Sequence, residues 1–367
     1  MRLESMKLSL VALLALFTPA LITAQQAVPE IPFDSADILK LPLDIHLGEA
    51  SGVAVNSKGH IFVFSRGNVT GPAYAATASQ LLEFGPDGKF VREIGRNLYA
   101  WSFAHTVRVD KDDNIWVVDK GSDMIVKFNP AGRVVMVFGR KKEASDEAEP
   151  WTRVNPPRPH VDAQFRQPTD VTWDPQGDIF ISDGYINSRV AKFDKNGDWV
   201  KSWGERGTET GQFNTPHTIA ADAKGNIYVG DRGNRRIQVF DSDGKHLRTI
   251  TIDVPWDATQ KPWFGNMPTP EAQKAQAGAP WAVCITPSNA SGTQYLYSSD
   301  AYPGRVYKLA LDGTVLGWLG RAGHQMKQFG WIHEMACPSE NELYVAEILN
   351  WRVQKLTLKP PPSTTSR

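Results

Sequence analysis

Cysteine is almost missing from this chain, with only Cys284 and Cys337 among 367 residues. So small a number excludes a disulfide-built scaffold and any zinc site made of thiolates. Excess charge is missing too. Forty basic and forty acidic side chains cancel, leaving no electrostatic footprint for nucleic acid or an anionic membrane. Beyond the first two dozen residues no apolar run is long enough to span a bilayer, and no cysteine follows the opening run to carry a lipid. A small molecule or peptide remains as the expected partner, and the chain is expected to act as a monomer.

The opening MRLESMKLSLVALLALFTPALITAQQ places a basic residue before an apolar stretch from Leu8 to Ile22 and a small residue at Ala24. This is the pattern of a cleaved secretory leader over residues 1–24, and initiation at Met6 would give a cleaner one. An exported protein, periplasmic or secreted, is the expectation. The two cysteines fall on the first strands of adjacent repeats, one position out of register. Period-two alternation then aims them at opposite faces, so two buried free thiols are expected.

The chain is rich in repetition. Six copies of one unit can be stacked, beginning SGVAVNSKGHIFVFSR at Ser51, HTVRVDKDDNIWVVDK at His105, TDVTWDPQGDIFISDG at Thr169, HTIAADAKGNIYVGDR at His217, WAVCITPSNASGTQYLYSSD at Trp281 and HEMACPSENELYVAE at His333. Their starts lie 48 to 64 residues apart, and each holds short β-runs divided by Asp/Asn/Gly turns. This predicts an all-β, six-bladed β-propeller as one domain over residues 38–359. The sixth copy is one strand short, and ILKLPLDIHL from Ile38 to Leu47 can supply it, closing the ring with an N-terminal strand. Two connections are long, 140–164 and 254–280, the second carrying Trp256, Trp263 and Phe264. Residues 360–367 form a Pro/Ser/Thr tail expected to be disordered.

The first column of the repeat reads Ser51, His105, Thr169, His217, Trp281, His333. Histidine takes every second blade. If first strands line the channel, alternate blades stand about 120° apart and three imidazoles converge on the axis, the ligand set of a catalytic zinc site with an open fourth position. The other five histidines show no such register. A second column, twelve residues past the apolar anchor in the regular copies, reads Ser65, Asp119, Asp183, Asp231, then Asp300 after an insertion, and Glu347. Acids in nearly every blade point to a structural task, accepting backbone N–H groups. Immediately beyond it Arg66, Tyr185 and Arg232 break the symmetry at the expected channel mouth, and functional residues enter symmetric scaffolds at such breaks. Arginine there suits a substrate carboxylate. A tyrosine beside a metal and a cation suits a base.

The runs QFRQPTDVTWDPQGDIFISDGYINSRV and WGERGTETGQFNTPHTIAADAKGNIYVGDRGNRRIQVF resemble the peptidyl-α-hydroxyglycine α-amidating lyases (peptidylamidoglycolate lyases), among the NHL-repeat propellers. The resemblance runs from Ser51 to the end of the sixth blade, and QPTDV, SDGY-x-NSR and PHT carry it. It implies a zinc-dependent carbon–nitrogen lyase that cleaves an N-acyl- or peptidyl-α-hydroxyglycine to a primary amide and glyoxylate. Zinc would be held by His105, His217 and His333, with Tyr185, Arg66 and Arg232 catalytic. A structural calcium is implied at the carbonyls of Val53 and Val107 and the side chain of Glu334. The chain departs from the family at Trp331-Ile332-His333-Glu334, where the family has Met-Pro-His-Asp, and at Arg166 and Ile186, which replace cysteines. The residues alone leave two alternatives, another metal-dependent propeller enzyme such as a lactonase or other lyase, and a non-catalytic scaffold.

Overall fold

The computed structural model describes residues 28–67, 79–142, 153–257, 259 and 276–360. The expected leader, the tail beyond Pro360 and the middles of both long connections lie outside the described residues.

Six four-stranded antiparallel sheets form the blades. Their innermost strands are Glu49–Val55, Ala104–Val109, Asp170–Trp173, Pro216–Ala221, Ala282–Ile285 and Ile332–Ser339. Middle strands such as Ile115–Asp119, Ile179–Asp183 and Ile227–Asp231 are buried at every position, because each sheet is covered on both faces by its neighbours. This is why they read as continuous apolar runs. The core accordingly sits between blades. Ile115 and Val117 pack with Phe62 and Phe64 of blade 1, while Trp116 and Val118, one residue out of phase, pack with Val171 and Ile181 of blade 3. The outer strand Val134–Phe138 has only its last residue buried. Asp110, Asp174 and Asp222 each bind the backbone N–H groups two and four residues on, turning the first strand into the second.

The ring closes upstream of the segment expected to close it. Phe33–Asp37 pairs antiparallel with Arg352–Leu358 as the outer strand of blade 6, Phe33 opposite Leu358 and Asp37 opposite Gln354. The stretch from Ile38 to Leu47 forms no ladder. Pro42 within it has no N–H to give, and Ile38, Leu39, Leu41, Ile45 and Leu47 instead seal the seam between blades 1 and 6.

The cysteine expectation is also corrected, since Cys284 and Cys337 form a disulfide between the inner strands of blades 5 and 6, with Cα atoms 6.1 Å apart. The alternation holds, with Met335 and Cys337 on one face of the sixth inner strand, but in the ring that face packs on the opposite face of blade 5, which carries Ala282 and Cys284. An offset of one position between adjacent inner strands therefore brings the two thiols together rather than apart.

Candidate active site

The three histidines owe their aim to the same local irregularity. Register slips between Ala104 and Thr106, between Pro216 and Thr218, and between Ile332 and Glu334. Each histidine is thus the extra, unpaired residue of a β-bulge, and the bulge turns its side chain toward the axis. The imidazole ring centres stand 4.6, 4.8 and 4.9 Å apart, and one ligand atom from each lies within 4.8 Å of the others.

The odd members of the column complete the arrangement. His105 Nδ1 donates to Thr169 O at 2.6 Å, His217 Nδ1 to Trp281 O at 2.7 Å and His333 Nδ1 to Ser51 O at 2.7 Å. A carbonyl can only accept, so the proton sits on Nδ1 and the Nε2 lone pair faces the centre. Burial, reinforced by neighbouring positive groups, holds all three imidazoles well below the usual value, so they are neutral. His217 Nε2 is buried without a partner. Three neutral, oriented nitrogens, one of them orphaned, fit a metal ion bound through Nε2.

The second column anchors the first. In every blade its side chain accepts the backbone N–H three residues before the first column: Gly48 to Ser65, Ser102 to Asp119, Arg166 to Asp183, Asn214 to Asp231, Gly278 to Asp300 and Gly330 to Glu347. These buried side chains, five acids and Ser65, therefore fix the chain just before the first column, and so just before the bulge in each histidine blade.

Above the histidines, Tyr185 Oη lies 3.4 Å from His105 Nε2, and its ring centre is 5.9 Å from that of His217. Burial raises the phenol's pKa, but Arg232, Lys120 and Arg66 together outweigh it and bring the value down to about 8. Arg232 is 3% exposed, stacks 4.2 Å from the Trp281 ring centre, and leaves Nε and Nη1 without partners. Arg66 is committed, with Nε donating to Ala104 O, Nη1 paired with Glu49 and the guanidinium over Phe103.

Three further residues escaped sequence reasoning. Lys120 Nζ sits 3.9 Å from the centre of the Tyr185 ring; it follows Asp119 as Arg66 follows Ser65, so the second column could have found it. Arg153, from the first long connection, donates through Nε to Tyr185 O and through its other nitrogens to Asn214 and Thr215, tying the tyrosine's loop to blade 4. Trp281 packs with Trp331, Ala301 and Tyr302 into an aromatic wall beside His217.

The implied calcium does not fit. Glu334 already accepts the Val107 N–H at 3.1 Å through Oε2, and its Oε1, buried without a hydrogen bond, lies in charge contact 3.1 Å from Arg108 Nε. A guanidinium therefore faces the carboxylate that would have to bind the ion.

An NHL repeat model matches residues 213–240. The mouse peptidyl-glycine alpha-amidating monooxygenase is 30% identical over 226 residues, 54% of this chain but 21% of that protein. Peptidyl-alpha-hydroxyglycine alpha-amidating lyase 1 of Drosophila melanogaster is 25% identical over 339 residues, covering 85% of this chain and 57% of its own. The chain thus spans about a fifth of the mouse protein's length. Among solved structures, virginiamycin B lyase from Staphylococcus aureus superposes with a TM-score of 0.54 at 13% identity, over 90% of this chain and the whole of that one, a likeness of fold alone. The chain is a six-bladed β-propeller that carries an NHL repeat and is similar in sequence to the peptidyl-α-hydroxyglycine α-amidating lyases.

Proposed function

We propose that this propeller is a metal-dependent lyase that splits the N–Cα bond of an N-acyl-α-hydroxyglycine. The observation that carries the reading is the set of three neutral imidazoles whose Nε2 atoms converge directly below Tyr185 and the unpaired donors of Arg232. A zinc ion held by His105, His217 and His333 would supply Lewis acidity toward the substrate's α-hydroxyl oxygen.

The chain's own residues do the rest. With a value near 8, roughly a tenth of Tyr185 is ionised at neutral pH, and the phenolate takes the hydroxyl proton. The O–H electron pair becomes the new C=O of glyoxylate, and the N–Cα pair leaves with the amide nitrogen. That nitrogen takes up one proton, returned by Tyr185, to give the primary amide, so no water is consumed. Arg232, with Nε and Nη1 unpaired, holds the substrate carboxylate. Arg66, tied to Glu49 and Ala104, contributes positive field rather than a substrate contact. The aromatic wall of Trp281, Trp331 and Tyr302 shields the reacting centre from water. The apolar leader and the Cys284–Cys337 disulfide both favour action in an oxidising, exported compartment. No helix among the described residues is long and apolar enough to cross a membrane.

The test is glyoxylate release from a simple N-acyl-α-hydroxyglycine, before and after chelation and zinc repletion, with His217→Ala as control. Zinc-dependent release lost in the variant is expected. No release from zinc-loaded protein would transfer the site to a different metal-dependent reaction.

A further inference from the structure

One layer further along the axis, on the side away from Tyr185, the channel holds a buried ionic knot made by residues next to the metal column. Arg108 lies three residues after His105 on its inner strand, while Asp170 directly follows Thr169 and Glu334 directly follows His333. Arg108 donates to both Asp170 oxygens, Nε to Oδ1 at 2.9 Å and Nη2 to Oδ2 at 2.6 Å. It also reaches Met335 O through Nη1 and Val283 O through Nη2, at 3.2 and 3.3 Å. Its Nε lies 3.1 Å from Glu334 Oε1, although that N–H is aimed at Asp170.

The two carboxylates in turn collect N–H groups from the inner strands. Asp170 accepts Val171 and Ile219 together with the Thr218 hydroxyl, and Glu334 accepts Val107. The side chains of Asp170 and Glu334 are 1% and 2% exposed and that of Arg108 14%. Gly52 makes room for the knot, because a Cβ there would stand 2.6 Å from Glu334 Oε2. Beyond Arg108 the channel widens into a funnel of about 450 Å³ lined by Trp173, Ile285 and Pro338.

A divalent ion among inner-strand carbonyls and a carboxylate would tie blades together at this level and neutralise the acid. The guanidinium already does both, touching groups of blades 3, 5 and 6 from its own blade 2, and its fixed positive charge repels a second cation. We infer that Arg108 is the channel's built-in cation, standing in for a bound divalent ion, and that the folded ring needs no calcium. It is a positioning residue, since the knot braces the strands that carry His105 and His333, and the inference stands apart from the identity of the reaction.

The experiment uses the full mature protein dialysed into calcium-free, zinc-containing buffer. Bound calcium is measured by elemental mass spectrometry and the unfolding midpoint with and without calcium chloride. The wild type should hold no stoichiometric calcium and show no shift. Arg108→Ala exposes two buried carboxylates to each other and should unfold roughly 4–7 °C lower. Calcium chloride, but not sodium chloride of equal ionic strength, should recover part of that loss. Should this variant fail to accumulate, Arg108→Lys keeps the charge and should fold with a lowered midpoint that calcium does not raise. One calcium per wild-type chain, a calcium-dependent midpoint in the wild type or the lysine variant, or an unchanged midpoint in Arg108→Ala would overturn the assignment.

Discussion

Replacing Arg232 by methionine separates a substrate-binding arginine from a merely packed one. The side chain is 3% exposed, lies against Trp281, and has two nitrogens with no partner, so methionine can fill most of its volume while removing the hydrogen bond the guanidinium gives the Tyr185 phenol. If those nitrogens bind the substrate carboxylate, two charge-assisted hydrogen bonds disappear, each worth about 1.5–3 kcal/mol. Together they correspond to a loss of roughly 10²–10⁴ in kcat/KM. A second effect moves with it. Arg232 is the largest of the influences that lower the Tyr185 phenol to about 8 against the opposing effect of burial. Without it the phenol's pKa rises, the phenolate appears only at higher pH, and the acid limb of kcat/KM shifts upward in pH. The assay is glyoxylate release from pH 6 to 10, with zinc content checked alongside. A variant that keeps its zinc, stays within tenfold of the parent and retains its acid limb would refute the assignment.

Tyr185→Phe should keep full metal content, because the tyrosine is not among the three converging nitrogens, yet lose about 10²–10⁴ of its rate; an unimpaired rate would remove Tyr185 as the base. Burial depresses the three imidazoles well below their ordinary value. A proton therefore competes with the metal only further into acid than about pH 6.5, and equilibrium dialysis should find zinc retained at about pH 6; release there would contradict the neutral-imidazole picture. Deleting residues 1–37 removes the outer strand of blade 6 and the buried Phe33. It should cost about 3 kcal/mol or more and expose Arg352–Leu358 as a pairing edge, so size-exclusion chromatography should show aggregation; a monomeric product with an unchanged unfolding midpoint would argue against closure by this strand.

The blades and the histidine trio were legible in the sequence because a propeller converts linear period into angular position: residues in one column must meet near the axis. The acidic column was legible for the same reason, and its task emerged as anticipated. What escaped has no letter, or breaks the period. The acceptors that orient the histidines are the backbone carbonyls of Ser51, Thr169 and Trp281, which any residue would supply. The pairing of Cys284 with Cys337 follows from the stacking of adjacent blades face to opposite face, which period-two reasoning along a single strand passes over. The closing strand Phe33–Asp37 is half polar because an outer strand has only one covered neighbour, whereas the more apolar segment after it is occupied in sealing a seam. Arg108 reads as an ordinary surface cation until the ring brings Asp170 and Glu334 to it.

Because the histidines are oriented by main-chain oxygens, the side chains at the odd positions of the first column are released from that duty. Ser51 and Thr169 keep buried hydroxyl contacts of their own, whereas Trp281 stands in the wall beside His217. The scaffold therefore divides inheritance between two alphabets. Backbone geometry holds the histidine centre, while a side chain beside it stays open to change, so a single substitution at Trp281 reshapes the space next to the imidazoles and leaves their aim intact.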